Sequence, residues 1–147
     1  MSDRIEGVKC DMVPDEDGDL VLASTVFYPT DSDSPWVGTK AARRAVYYPE
    51  RVFYDSKRML CKLLSDPNIQ KLKPYWPFEL ESSVSGEILY KLSPVTMYRP
   101  EEISQRILEH LRRAVNGNLG RDKREVCIIT VPAYFDDEQI LATKKAA

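Results

Sequence analysis

Apolar residues along the chain gather into short runs separated by acidic and proline- or glycine-bearing stretches, and the spacing within each run points to its element. Residues 4–13 and 20–28 are β-rich and flank PDEDGD, whose acidic residues and Gly18 suit a turn, so a hairpin is expected. Residues 29–35, with DSDS between two prolines, read as a solvated loop. Thr39 is placed to cap a short helix running to Val46, with Ala41, Ala42 and Ala45 as its small face and Pro49 as its stop. Residues 51–53 look extended and 55–64 helical, and a second short helix is expected from Pro67 to Lys73.

Between Pro74 and Arg99 the character changes. PFELESS, GEILYKL and VTMYR are short runs with turn residues between them, the pattern of a small antiparallel meander. Pro100 then opens a long helix. Proline is tolerated in a first turn, Glu101 and Glu102 suit the positive end of the helix dipole, and Ile103, Ile107, Leu108, Leu111 and Val115 mark one face, with Gly117 as the expected end.

The run VCIITV at 126–131 is apolar on both faces, as in a strand buried between two layers, which makes Cys127 a buried small hydrophobe. Asp136 and Gln139 stand three apart in capping-box spacing, so a helix is expected from Asp137, still running at Ala147. A buried-type strand and its following helix without the next strand of a crossover is the pattern of a truncated α/β unit.

Composition narrows the chemistry. With 21 Lys+Arg against 23 Asp+Glu the formal charge is −2, so there is no global positive field to gather nucleic acid or anionic lipid. The three cysteines are far apart and in no C-x-x-C pair, which fits a reducing compartment better than a disulfide framework or zinc knuckle. The first residues carry charges where a secretory signal needs an apolar core, and no apolar run is long enough to span a bilayer, so a cytoplasmic protein without membrane contact is expected.

His110 is the only histidine and reads as a solvated or core-edge side chain, leaving no basis for a histidine metal site or a Ser-His-Asp triad. Neither glycine-rich phosphate motif occurs. The pairs Arg43/Arg44, Lys57/Arg58 and Lys144/Lys145 read first as solvated faces, and Asp136/Asp137 as a helix start.

The run ITVPAYFDDEQILATKKA resembles the segment of the heat-shock protein 70 family in which a core strand meets its crossover helix. VGTKAA, VFYDSKRML, the Asp66-Pro67 pair, WPF, PEEIS and Leu119-Gly120 precede it in the family's order and are similar to its nucleotide-binding domain. The resemblance covers residues from about Val8 onward, loosely over 1–35 and 80–99. It implies an α/β fragment of an actin-like, ribonuclease-H-like ATPase fold, with residues 1–147 in its first lobe. Residues 36–125 would form an inserted antiparallel α+β subdomain, and 126–147 the core strand and start of the crossover helix.

The function implied is that of an ATP-dependent chaperone. ATP or ADP with Mg2+ would be its cofactor, and J-domain co-chaperones, nucleotide-exchange factors and unfolded polypeptide its partners. Lys57 matches the family's catalytic lysine that reaches the phosphates, and Arg58 an arginine on the adenine side. Pro132 matches a switch proline, and Asp137 an acidic residue near the linker and co-chaperone contact. Ile140 stands where the family usually has a coupling arginine, Cys61 where it usually has glycine, and LVLAS where it has an RTTPS-like run.

The family's glycine-rich phosphate loops and its substrate-binding domain have no counterpart here, so these residues alone are expected not to hydrolyse ATP. A stand-alone, non-catalytic module that contacts chaperone partners is the competing reading. A kinase of the same architecture is a more distant one, since PAYF and DSKR belong to the chaperone branch.

Overall fold

The structure, a computed structural model, describes residues 12–32, 34–119 and 127–147. It is mixed α/β, built on two small three-stranded antiparallel sheets. In the first, β1 (Thr25–Phe27) lies between β2 (Trp36–Val37) and β3 (Val52–Tyr54), with Val26 opposite both Val37 and Phe53. Side chains alternate across a strand. Val26 and Phe53 therefore enter one apolar cluster, while Phe27 and Val52 enter a second, smaller one with Ala41. Both faces of this sheet are covered, and Val26, Val52 and Phe53 are all but inaccessible.

The expected meander is present. β4 (Glu79–Ser82), β5 (Ile88–Ser93) and β6 (Thr96–Tyr98) pair antiparallel in sequence order, with Leu80 opposite Tyr90 and Tyr90 opposite Tyr98. Leu80, Ile88 and Tyr90 point into the large cluster. Across from them lies α4 (Pro100–Leu119), which buries Ile103, Ile107 and Ala114. Leu111, expected on that face, is exposed, because the buried stripe passes through the smaller Ala114 instead. Gly117 does not end α4, which continues to Leu119 with Gly117 on its open side.

Four other expectations are corrected. Thr39 is the first residue of α1 (Thr39–Ala42) and not its cap; that position is held by Gly38. At φ +85° Gly38 occupies a conformation a side chain would strain, and a Cβ there would also run into Leu22. The helix expected over 55–64 is a single turn, α2 (Ser56–Met59), because the chain leaves it at Leu60 and enters the left-handed region at Cys61, φ +55°. Residues 127–131 form no strand, and Cys127, Ile128, Ile129 and Thr130 are exposed. No described strand lies beside them, so their backbone has no ladder to join and their apolar side chains no facing layer. Finally, the β-rich run 20–28 contributes only Thr25–Phe27 to a sheet.

The turn between the two runs is present, with Asp15 accepting at Oδ1 from the amides of Asp17 and Asp19. The first strand of the expected hairpin lies mostly outside the described residues. The second short helix is α3 (Pro67–Leu72), one residue shorter than expected because Lys73 opens a 3-10 turn, and it is capped by the Asp66 carboxylate. The last helix, α5 (Asp137–Ala146), begins in the expected capping box. His110 sits at the edge of the core, its Nε2 3.7 Å from Asp15 Oδ2. No helix among the described residues is long and apolar enough to cross a membrane.

The left-handed conformation at Cys61 carries a test. A non-glycine residue held there stores on the order of 1–3 kcal/mol, while glycine gives back about 0.5–1 kcal/mol in unfolded-chain entropy. Cys61→Gly is therefore expected to raise stability by about 1 kcal/mol in urea denaturation, whereas Cys61→Ala, which keeps a Cβ, leaves it within a few tenths. Equal effects of the two substitutions would remove backbone conformation as the cause.

Candidate functional site around α2 and the start of α5

The geometry around Lys57 begins where β3 ends. The chain turns out of the strand through Asp55, at φ +59° and ψ 20°, a left-handed conformation that aspartate tolerates better than most residues. Its carboxylate then works in two directions. Oδ2 accepts from Trp76 Nε1 at 3.1 Å, and Oδ1 lies 3.4 Å from Arg58 Nε. One residue earlier, at the end of β3, the carbonyl of Tyr54 accepts from the Tyr90 hydroxyl at 2.7 Å. Burial pushes that phenol well above its ordinary range, and the nearby Asp55 carboxylate adds to the effect, so Tyr90 is a permanent donor.

One turn of helix has little stability of its own. α2 is fixed by what its inner side touches: Met59 is inaccessible, and the buried Ser56 hydroxyl shares a 3.0 Å hydrogen bond with Ser104 on α4. Lys57 and Arg58 occupy the outer side, both exposed. Lys57 makes no ion pair or side-chain hydrogen bond with a described residue. Arg58 is held by Asp55. The outcome is a flexible cation beside an oriented guanidinium, both on a short helix anchored to the meander and to α4.

α5 reaches the same place from the other end of the sequence. Asp136 Oδ1 accepts from the Gln139 amide at 2.9 Å, and the Asp136 amide donates to Gln139 Oε1 at 3.2 Å. The amide nitrogen of that same buried side chain donates to the Leu60 carbonyl at 3.1 Å, just past α2. Lys62 Nζ lies 3.9 Å from Asp136 Oδ2.

Of the residues singled out in the sequence, Asp137 is exposed in the first turn of α5, and Ile140 is half-buried one turn later. Pro132 sits in the lead-in, its carbonyl accepting from the Phe135 amide at 3.1 Å. Lys57 and Arg58 form one group, and Pro132, Asp137 and Ile140 another. Among the described residues no hydrogen bond or ion pair joins the two groups directly, and the link runs through Leu60 and Gln139.

Sequence reasoning missed three members of this arrangement. Asp55 and Trp76 position Arg58, and Gln139 does more than cap. The signal for Asp55 is its residue type at a strand-to-helix corner; the contact between Trp76 and Asp55 spans 21 positions and has no local signature.

Between α4 and α5 runs a groove of about 470 Å³ floored in part by Cys61 and edged by Glu101, Glu138 and Lys145. Partial burial pushes the Cys61 thiol up from its ordinary value, and the carboxylates of Glu101, Glu138 and Asp136 push it further. It is therefore a poor nucleophile near neutrality. Among the described residues no group of three or more His, Cys, Asp or Glu side chains converges as a metal would need. What the site offers chemically is cationic, namely two positive side chains on a fixed helix, suited to the oxygens of a polyphosphate.

The chain matches the family model described as Hsp70 protein over residues 4–147. It is 33% identical over 142 residues to the chaperone protein DnaK of Stenotrophomonas maltophilia (strain R551-3), an alignment that takes in 97% of this chain and 22% of that protein. The chain thus spans less than a quarter of the length of this curated relative. A family match over nearly every residue, joined to that identity, establishes that the chain belongs to the Hsp70 family.

Proposed function

We propose that this chain supplies part of the first lobe of the nucleotide-binding domain of an ATP-dependent chaperone, with residues 36–125 as a subdomain inserted into an actin-like, ribonuclease-H-like fold. The observation that carries this reading is the placement of Lys57, an exposed ammonium with no partner among the described residues, on a helix turn held from inside by Met59 and Ser56. Bound ATP with Mg2+ would supply the phosphoryl group. Lys57 would face its phosphates and stabilise charge that builds there during transfer, while Arg58, held by Asp55, would face the adenine side.

The metal ligands lie elsewhere in this reading, since the described residues hold no carboxylate cluster. Pro132 and Asp137 would relay nucleotide state outward to a J-domain co-chaperone, while Ile140, where the family usually has an arginine, weakens that coupling. Unfolded polypeptide and nucleotide-exchange factors are partners of the complete chaperone, which works in the cytoplasm. These residues by themselves do not hydrolyse ATP, because a cation without opposing phosphate loops encloses no reaction centre.

The test is a chimera in which the matching segment of the DnaK chaperone is replaced by this chain. Single-turnover assays are expected to detect ATP hydrolysis by the chimera, slowed at least tenfold by Lys57→Ala with the circular dichroism spectrum unchanged. Equal rates with and without Lys57 would reject its assignment. The purified chain alone is expected to give no turnover above a blank, and turnover lost on Lys57→Ala would overturn that part.

A further inference from the structure

Away from α2 and α5, the surface formed by α1 and the 3-10 turn after it (Arg43–Val46) faces the turn at residues 15–19 across an open cavity of about 560 Å³. The helical side presents Trp36, Lys40, Arg43, Arg44 and Tyr47, and the turn presents Asp17 and Asp19. Lys40 Nζ and Arg44 Cζ lie 4.6 Å and 4.7 Å from the centre of the Trp36 ring, so the indole fixes where these two charges sit. Trp36 is itself held edge-on against Phe27 at 5.6 Å. Arg43 and Tyr47 complete the rim, and Tyr47 is 72% exposed.

Cations among the described residues divide into paired and unpaired ones, Lys57 on α2 being one of the unpaired; what sets this surface apart is that two of its cations are fixed on one indole. Arg58, Lys62, Lys91, Arg99 and Arg106 each have a carboxylate partner. Among the described residues Lys40, Arg43 and Arg44 have none, although Asp17 and Asp19 line the same cavity. The turn that carries these aspartates cannot simply fold over onto the cations. Asp15 Oδ1 holds the amides of Asp17 and Asp19, and its Oδ2 lies beside His110 of α4. Three cations are thus kept apart from two carboxylates by a preformed gap, with exposed aromatic surface alongside.

We propose that this surface docks an acidic, extended segment of a partner polypeptide. Unpaired arginines beside exposed aromatic rings are the side chains that dominate protein recognition surfaces. An extended chain repeats the same face about every 7 Å, so alternate glutamates meet the cations while the peptide's own amides face Asp17 and Asp19. The two aspartates argue against a nucleic acid, whose unbroken line of phosphates would meet them as well. The cavity shares no residue with the α2 and α5 site.

Fluorescence anisotropy with a labelled short peptide of alternating glutamate and alanine tests this on the purified chain. Binding is expected, weakening with added salt. Arg43→Glu together with Arg44→Glu is expected to weaken it at least tenfold. The matching lysine-alanine peptide should not bind. Should the double arginine variant lose its circular dichroism spectrum, Arg43→Glu alone, an exposed side chain outside both apolar clusters, carries the same expectation in direction. No binding of the glutamate peptide, undiminished binding by the arginine variants, or tighter binding of a thymidine oligonucleotide would each overturn the proposal.

Discussion

Phe53→Ala is expected to lower the free energy of unfolding by about 3–5 kcal/mol, a large share of what a domain of this size possesses. The ring is inaccessible and lies where the two sheets meet. Its centroid is 4.9 Å from that of Tyr90, 5.5 Å from Tyr28 and 5.6 Å from Phe78. Tyr28 directly follows β1, Phe78 leads into the meander and Tyr90 lies in β5, so one side chain joins the two halves of the core.

Removing it leaves a cavity that rigid neighbouring rings cannot fill, and it forfeits the edge-to-face contact with Phe78 as well. Phe53→Leu, which restores most of the volume, is expected to cost about 1–2 kcal/mol. Urea denaturation followed by tryptophan fluorescence measures both. An alanine variant within about 1 kcal/mol of the unaltered chain would mean that the sheets are not coupled through this ring.

The second large effect belongs to Gln139. Gln139→Ala removes one half of the capping box and leaves the buried Leu60 carbonyl without a donor, for a combined loss of about 2–3 kcal/mol. Gln139→Glu separates the contributions. It keeps an oxygen for the Asp136 amide but sets a carboxylate against the Leu60 carbonyl, so it should be at least as damaging as alanine. Amide hydrogen exchange is expected to show protection lost across α5 and retained in β5. Retained protection across α5 would show that Ala142 and Ala146 hold it without the glutamine.

Legibility in the sequence followed the range of the interactions. The meander, α4 and α5 were readable because turn residues, a first-turn proline with two glutamates, and the Asp136/Gln139 spacing act within a few positions of themselves. The one-turn length of α2 was not. Residues 55–64 are compatible with helix in local propensity, and the break at Cys61 is a backbone conformation that cysteine does not announce; the family's usual glycine at that position was the readable hint. The run at 127–131 failed for the opposite reason. Its apolar pattern is that of a buried strand, but a strand exists only with a neighbour, and no described strand stands next to it. At the site, Lys57 and Arg58 were picked out by resemblance, whereas the contact of Trp76 with Asp55 and that of Gln139 with Leu60 are closed by the fold across 21 and 79 positions.

The tie between Gln139 and Leu60 also decides what an unfolding experiment can see. Both tryptophans, Trp36 and Trp76, pack in the clusters around the sheets, and α5 contains none. Indole emission is therefore blind to detachment of α5, while the far-ultraviolet helix signal counts its 10 residues in full. With Gln139 in place the two signals should fall together. In Gln139→Ala the helix signal should fall first, and the single chain will then fail the coincidence that two-state behaviour requires.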